Sequence, residues 1–184
     1  MKTRRSLSVR VLLSVAVALC TVGPVAAQQL VVSDSIAQAE VLLPELGWRR
    51  AVLGRAIPTG SVVTTWIDSE VALEQQGVEL RLVSLGHLIV ESTTEDALDL
   101  RLTAGTLQVD TADISLRIVL TSRGHTVTTE GARFLIDTRR IVIQTGNVRV
   151  DLADVPIPIE LSDGAEFSFV LQNPEAIFPI SSAY

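Results

Sequence analysis

Beyond residue 27 the chain has no cysteine and no lysine; Cys20 and Lys2, the only ones of their kind, precede it. The missing thiol excludes a cysteine nucleophile, a disulfide and a thiolate zinc site. The missing amine excludes a Schiff base and a Ser-Lys dyad. Two histidines, His87 and His125, are too few for a three-histidine metal centre in one chain. Aromatics are scarce, with two tryptophans, one tyrosine and four phenylalanines, so a core must come mainly from Val, Leu and Ile. A carboxylate pair or a Ser-His-Asp set is what stays open for catalysis.

The N-terminus has the layout of a secretory signal. Lys2, Arg4, Arg5 and Arg10 form a basic start, Val11 to Leu19 is apolar, and Val25-Ala26-Ala27 supplies small residues for cleavage after Ala27. The apolar stretch is shorter than the roughly 20 residues that span a bilayer, so no transmembrane span is expected. Arg4-Arg5 also fits a twin-arginine signal, leaving the export route open. Leu19 stands before Cys20 where a lipid-modification site needs a small residue, so a lipoprotein is not the reading adopted. The expected location is the periplasm or the exterior. Four of the 15 basic residues lie in this segment, which leaves eleven arginines against 21 acids, a net charge near −10. Such a surface lacks the basic footprint that nucleic acid or anionic lipid requires.

One pattern recurs around a glycine. Residues 100–110 and 141–151 both place apolar residues five and three before the glycine and two and four after it, then end on aspartate. The glycines are Gly105 and Gly146, and the aspartates Asp110 and Asp151. The segment after Gly86 repeats the right-hand arm with Leu88, Val90 and then Glu91. Period-two spacing on both sides of a glycine predicts a strand, a bend and a strand.

The rest of the chain is punctuated at similar intervals. Ile57-Pro58-Thr59-Gly60 predicts a tight turn, as do Gln75-Gln76-Gly77 and Arg123-Gly124-His125. Residues 28–47 read either as a lead-in strand or as a short helix. Val155 to Leu161 predicts an edge strand with Ile157, Ile159 and Leu161 inward and Pro156 and Pro158 outward, where missing amides discourage further pairing. Asp163-Gly164 signals a last hairpin before Phe167 and Phe169. With no sustained helical period after Gly54, the expectation is an all-β fold, an antiparallel β-sandwich or β-roll of short strands joined by glycine-centred bends. The expected divisions are the signal at 1–27, the lead-in at 28–47, a β-domain at 48–169 and a tail at 170–184.

The order of these signals resembles the FecR domain family. Trp48, Gly54, Thr59 and Gly60 fit its opening, and Leu100 to Gly105 looks like its strand and bend, with Gly86 at a similar bend. Gly131 and Phe134 fit its Gly-Thr-x-Phe, with Ala132 in place of the threonine, and Gly146 and Gly164 fit its last two glycines. The resemblance implies an extracytoplasmic β-module that binds another envelope protein and is not an enzyme. The family's sigma-factor control is not carried over, because no cytoplasmic segment precedes the apolar stretch. A structural β-roll that self-assembles and an envelope hydrolase are the alternatives.

Several residues carry sharper readings, each weighed against a blander one. Glu91, Asp110 and Asp151 offer oxygens of the kind calcium takes, but no dense Asp/Asn/Gly loop surrounds them, so solvated strand ends are expected. Ser122 and His125 lack a Gly-x-Ser-x-Gly elbow, and both histidines are expected on surface turns. Arg49-Arg50 and Arg139-Arg140 suit an acidic partner or simple hydration. Trp48 and Trp66 are expected in the core or capping the sheet, although exposed ligand platforms are the other use of such side chains. No catalytic residue, metal or cofactor is expected.

Overall fold

The computed structural model describes residues 29–94, 97–111, 115–120, 124–129 and 131–169. They form β1 (Val31–Ile36), β2 (Ala39–Leu43), β3 (Gly47–Arg50), β4 (Val62–Thr65), β5 (Glu70–Gln75), β6 (Val78–Thr93) and β7 (Ala97–Asp110). Next come β8 (Ser115–Leu120), β9 (His125–Thr129), β10 (Ala132–Asp137), β11 (Arg140–Gly146), β12 (Val148–Asp151), β13 (Ile159–Leu161) and β14 (Glu166–Ser168). No helix occurs among the described residues, so the expected lead-in is strand: β1 pairs with β5 and β2 with β4.

All fourteen strands belong to one hydrogen-bonded sheet that the glycine bends fold into two layers. The first layer runs β1-β5-β6-β7-β10-β11-β14 and the second β3-β2-β4-β6-β7-β8-β9-β12-β13. The long strands β6 and β7 belong to both. Residues 78–83 of β6 pair with β5 and with the end of β7, while residues 87–93 pair with β4 and with the start of β7. A single core lies between the layers. On the first layer, Val32, Leu73, Leu80, Val109, Phe134 and Ile143 lie opposite one another in a buried row. On the second, Val90, Leu100, Ile118, Val127 and Val150 do the same.

The spacing within the repeat explains how both arms reach that core. Residues three before and two after the glycine are five apart, so a regular strand would send them to opposite faces. One extra residue absorbs the odd count. On β7 it is Thr103, because His87 pairs with Ala104 and Leu88 with Leu102. On β11 it is Gln144, because Arg133 pairs with Thr145 and Phe134 with Ile143. Both bulges sit two residues before the glycine, where an added residue bends the strand and increases its twist.

The bends also come in pairs. A Cβ on Gly105 would lie 2.9 Å from the Gly86 nitrogen and closer still to its Cα, and Gly105 has φ +83. A Cβ on Gly146, at φ +89, would lie 2.7 Å from the Ala132 Cα and closer to the Gly131 carbonyl oxygen. Glycine at 105 and 146 thus lets two strands cross from layer to layer in backbone contact.

Three expectations change. The sheet is mixed, because β7 and β8 run parallel. Parallel neighbours need a crossover, and the second half of β7, passing through the other layer, supplies it. Ser162 to Ala165 forms a tight turn, closed by the Ala165 amide on the Ser162 carbonyl at 2.9 Å. It makes no hairpin, since β13 pairs with β12 and β14 with β11. The proline-flanked segment becomes an edge strand only from Ile159, and Ile157 is 71% exposed where an inward side chain is expected. Residues 1–28, with Cys20 and the cleavage site, and 170–184 lie outside the described residues. No helix among the described residues is long and apolar enough to cross a membrane.

Candidate functional site

The glycine-motif residues meet in two pairs, Gly86 with Gly105 and Gly131 with Gly146, but do not converge on one site. Phe134 is buried on β10, in the core-facing row of the first layer. The Gly54 amide donates to the Val32 carbonyl at 2.8 Å, holding the loop against the free side of β1. The Thr59 hydroxyl accepts the Thr93 amide at 3.2 Å, and the Gly60 amide donates to the Val90 carbonyl at 2.7 Å. The Gly131 amide donates to the Thr129 hydroxyl at 3.2 Å, and Gly164 to the Ile143 carbonyl at 3.1 Å.

The residues weighed for chemistry do not assemble. Glu91 pairs with Arg101, Asp110 with Arg133 and Asp151 with Arg149, so each repeat-end acid has its own arginine. No group of three His, Cys, Asp or Glu side chains suits a metal among the described residues. His125 is not on a surface turn: it is buried, accepts the Ala153 amide through Nδ1 at 3.2 Å, and stacks on Phe169 with centroids 5.7 Å apart. His87 is half-buried on the outer side of β6 and is hydrogen-bonded through Nδ1 to the Thr103 hydroxyl. Three strand spacings separate the histidines, about 14 Å, and they face opposite sides of the layer. Ser122 lies outside the described residues.

The outer faces carry ion-pair ladders. Arg81 spans Glu70 and Glu79 on the first layer, and Arg140 reaches Glu166 at 3.1 Å. On the second layer Arg117 pairs with Asp99 at 2.9 Å and Arg149 with Asp151 at 3.0 Å. The hydrogen bonds that these arginines donate to carboxylates raise the Arg81, Arg117 and Arg149 pKa values above the ordinary arginine value. A shallow groove of about 530 Å³ runs over Asp99, Arg117, Thr128, Arg149 and Glu160. Its arginines are already engaged, so it offers little free charge to an anion.

Among the described residues, no ion pair involves β2, β3 or β4. Exposed aromatic and apolar side chains stand around them, beside the exposed Arg49 and Arg50. Both tryptophans, expected in the core or as caps, are about half exposed, Trp48 at 49% and Trp66 at 53%. The physical reason is position: Trp48 is on the end strand β3, and Trp66 follows β4 in the outward phase of Val62 and Thr64. The Trp66 indole N–H reaches the Glu40 carboxylate at 3.4 Å.

Trp66 shares a corner of the fold with three other exposed apolar side chains, Ile36, Ile67 and Leu85, which are 51%, 69% and 60% exposed. Three chain segments meet there: the β1–β2 turn, the β4–β5 connection and the bend of β6. The Trp66 amide donates to the Gln38 carbonyl at 3.1 Å, and the Leu85 amide to the Trp66 carbonyl at 3.2 Å. The Gln38 amide donates to the Ser69 hydroxyl at 3.1 Å, and the Asp68 amide to the Ser84 hydroxyl at 3.1 Å. The Thr65 hydroxyl accepts the buried Gly86 amide at 2.8 Å. Ala37, Asp68 and Leu85 have φ of +59, +54 and +57. Such conformations cost non-glycine residues about 1–3 kcal/mol each and cluster where a shape is held for use. Here one falls in each of the three segments. Of the corner only Trp66 was singled out in the sequence, as a ligand platform set below a core or cap role; its grouping with Ile36, Ile67 and Leu85 was not legible, since they come from three separate segments.

Comparison of the chain with protein-family models, with curated proteins and with solved structures finds no match.

Proposed function

We propose that this chain is a non-enzymatic, extracytoplasmic FecR-like binding module that contacts another cell-envelope protein through the Ile36–Trp66–Ile67–Leu85 corner. The order of the glycine motifs and the signal-like N-terminus support the class and the location. One observation carries the surface: three segments, cross-tied by hydrogen bonds, hold four large apolar side chains in solvent. An exposed apolar cluster with a polar rim is the usual mark of an interaction site, and tryptophan is prominent among residues that dominate binding energy. The cross-ties also prepay part of the ordering cost of association.

The test is co-purification from envelope extract with the wild-type protein, the Trp66→Ala and Ile67→Asp variants, and Arg117→Ala as a control on the ion-paired face. The expected result is a specific partner that both corner variants lose and Arg117→Ala retains. A partner retained by both corner variants, or no specific partner in repeated trials, would overturn the reading.

A further inference from the structure

We infer that the second layer has two complementary ends, and that copies of this chain join head to tail with β3 of one beside β13 of the next. Among the described residues these strands end the order of the layer, each with one neighbour. The β3 end carries Arg49 and Arg50, exposed and in no ion pair among the described residues. Exposed Leu46, Trp48 and Leu53 surround them. The β13 end carries exposed Asp154, Glu160 and Asp163 with exposed Val155 and Ile157. At the first end two arginines outnumber the one exposed acid of the adjoining turn, Glu45, while the other end is anionic; both are apolar besides.

The register agrees with the charge. Arg50 lies opposite Glu40, which lies opposite Thr64, on the outer face. Glu160 lies opposite Arg149, which lies opposite Thr128, on the same outer face at the far end. Setting β13 of a second copy along β3 therefore places Glu160 across from Arg50 with both on the outside. The first layer offers no such joint at β1, whose free side is held by Gly54 and Ile57 of its own chain. Pro158 has no amide to donate, which limits the added ladder to the three residues of β13. The joint is consequently short and reversible, with much of its strength in charge and apolar contact. Its two surfaces differ, so the contact is heterologous, and repetition adds copies in a row instead of closing a symmetric pair.

Sedimentation of the folded chain across concentration, at low and raised salt, tests this directly. The expected average mass rises with concentration through multiples of the chain and falls as salt screens the charges. Arg49→Glu/Arg50→Glu alone and Asp154→Arg/Glu160→Arg alone are both expected to stay monomeric. Mixed together they are expected to associate again, because each supplies the end the other needs. That rescue rules out misfolding as the cause of either loss. A wild-type chain monomeric at all concentrations, a closed dimer indifferent to both variants, or a mixture that fails to associate would overturn the inference. Ile67→Asp is expected to leave this association unchanged, so its failure and that of the corner are separable.

Discussion

Replacing Gly105 by alanine tests how the two layers are joined. The added Cβ would meet backbone on every near side: the Gly86 nitrogen at 2.9 Å, the Val83 carbonyl oxygen at 3.2 Å, and the Gly86 Cα closer than either. None of these atoms can swing away as a side chain would. Alanine at φ +83 costs about 1–2 kcal/mol in backbone strain. Forcing β6 and β7 apart adds about 1–3 kcal/mol of the kind seen when a packed core is overfilled. Gly54 is the control, since it has φ +75 and nothing within 4 Å of an added Cβ. Gly54→Ala thus incurs the strain without the collision, and the effect of alanine on the unfolded chain cancels between the two. Before the unfolded-chain effect common to both, the expected losses are about 2–5 kcal/mol for Gly105→Ala and about 1–2 kcal/mol for Gly54→Ala, measured by urea unfolding. At about 2–4 °C per kcal/mol, the former lowers the melting temperature by about 10 °C. Equal losses, within about 0.5 kcal/mol, would refute the close crossing of strands at the bend.

Thr65→Val keeps the shape of a buried side chain but removes the hydroxyl that accepts the Gly86 amide at 2.8 Å. The orphaned amide is expected to cost about 1–3 kcal/mol, seen as a lower unfolding midpoint with an unchanged slope. Leu85→Gly relieves the positive φ at a residue 60% exposed, against a similar entropic cost in the unfolded chain. Its stability is expected within about 1 kcal/mol of wild type, while partner binding falls because the corner loses an apolar side chain. Arg117→Ala breaks an exposed pair with Asp99 and is expected to cost less than about 1 kcal/mol, with the difference shrinking in salt.

The repeat around Gly105 and Gly146 was the most legible part of the fold, because its alternating arms identify strands and its glycines identify bends. Its odd spacing became meaningful only with the bulges at Thr103 and Gln144 in view. The parallel pairing of β7 and β8 was not legible, since period-two burial looks the same in either direction. Ile157 alternates correctly with Ile159 and Leu161, yet the strand begins after it, and alternation alone cannot mark where a neighbour stops. His125 is inward because Phe169, 44 residues later, packs on its ring. The exposure of Trp48 and Trp66 follows from strand order and phase, which hydrophobicity does not reveal. The corner was least legible of all, because Ile36, Trp66 and Leu85 meet only after β1, β4 and β6 have paired.

A photo-crosslinking side chain placed in turn at positions 67, 85 and 117, in cells that make the protein, tests the central claim most directly. Positions 67 and 85 lie on the apolar corner and position 117 on an ion-paired face. The predicted result is one shared protein adduct from 67 and 85 and none from 117. An adduct from 117 alone, or equal labelling from all three, would contradict the corner as the binding surface.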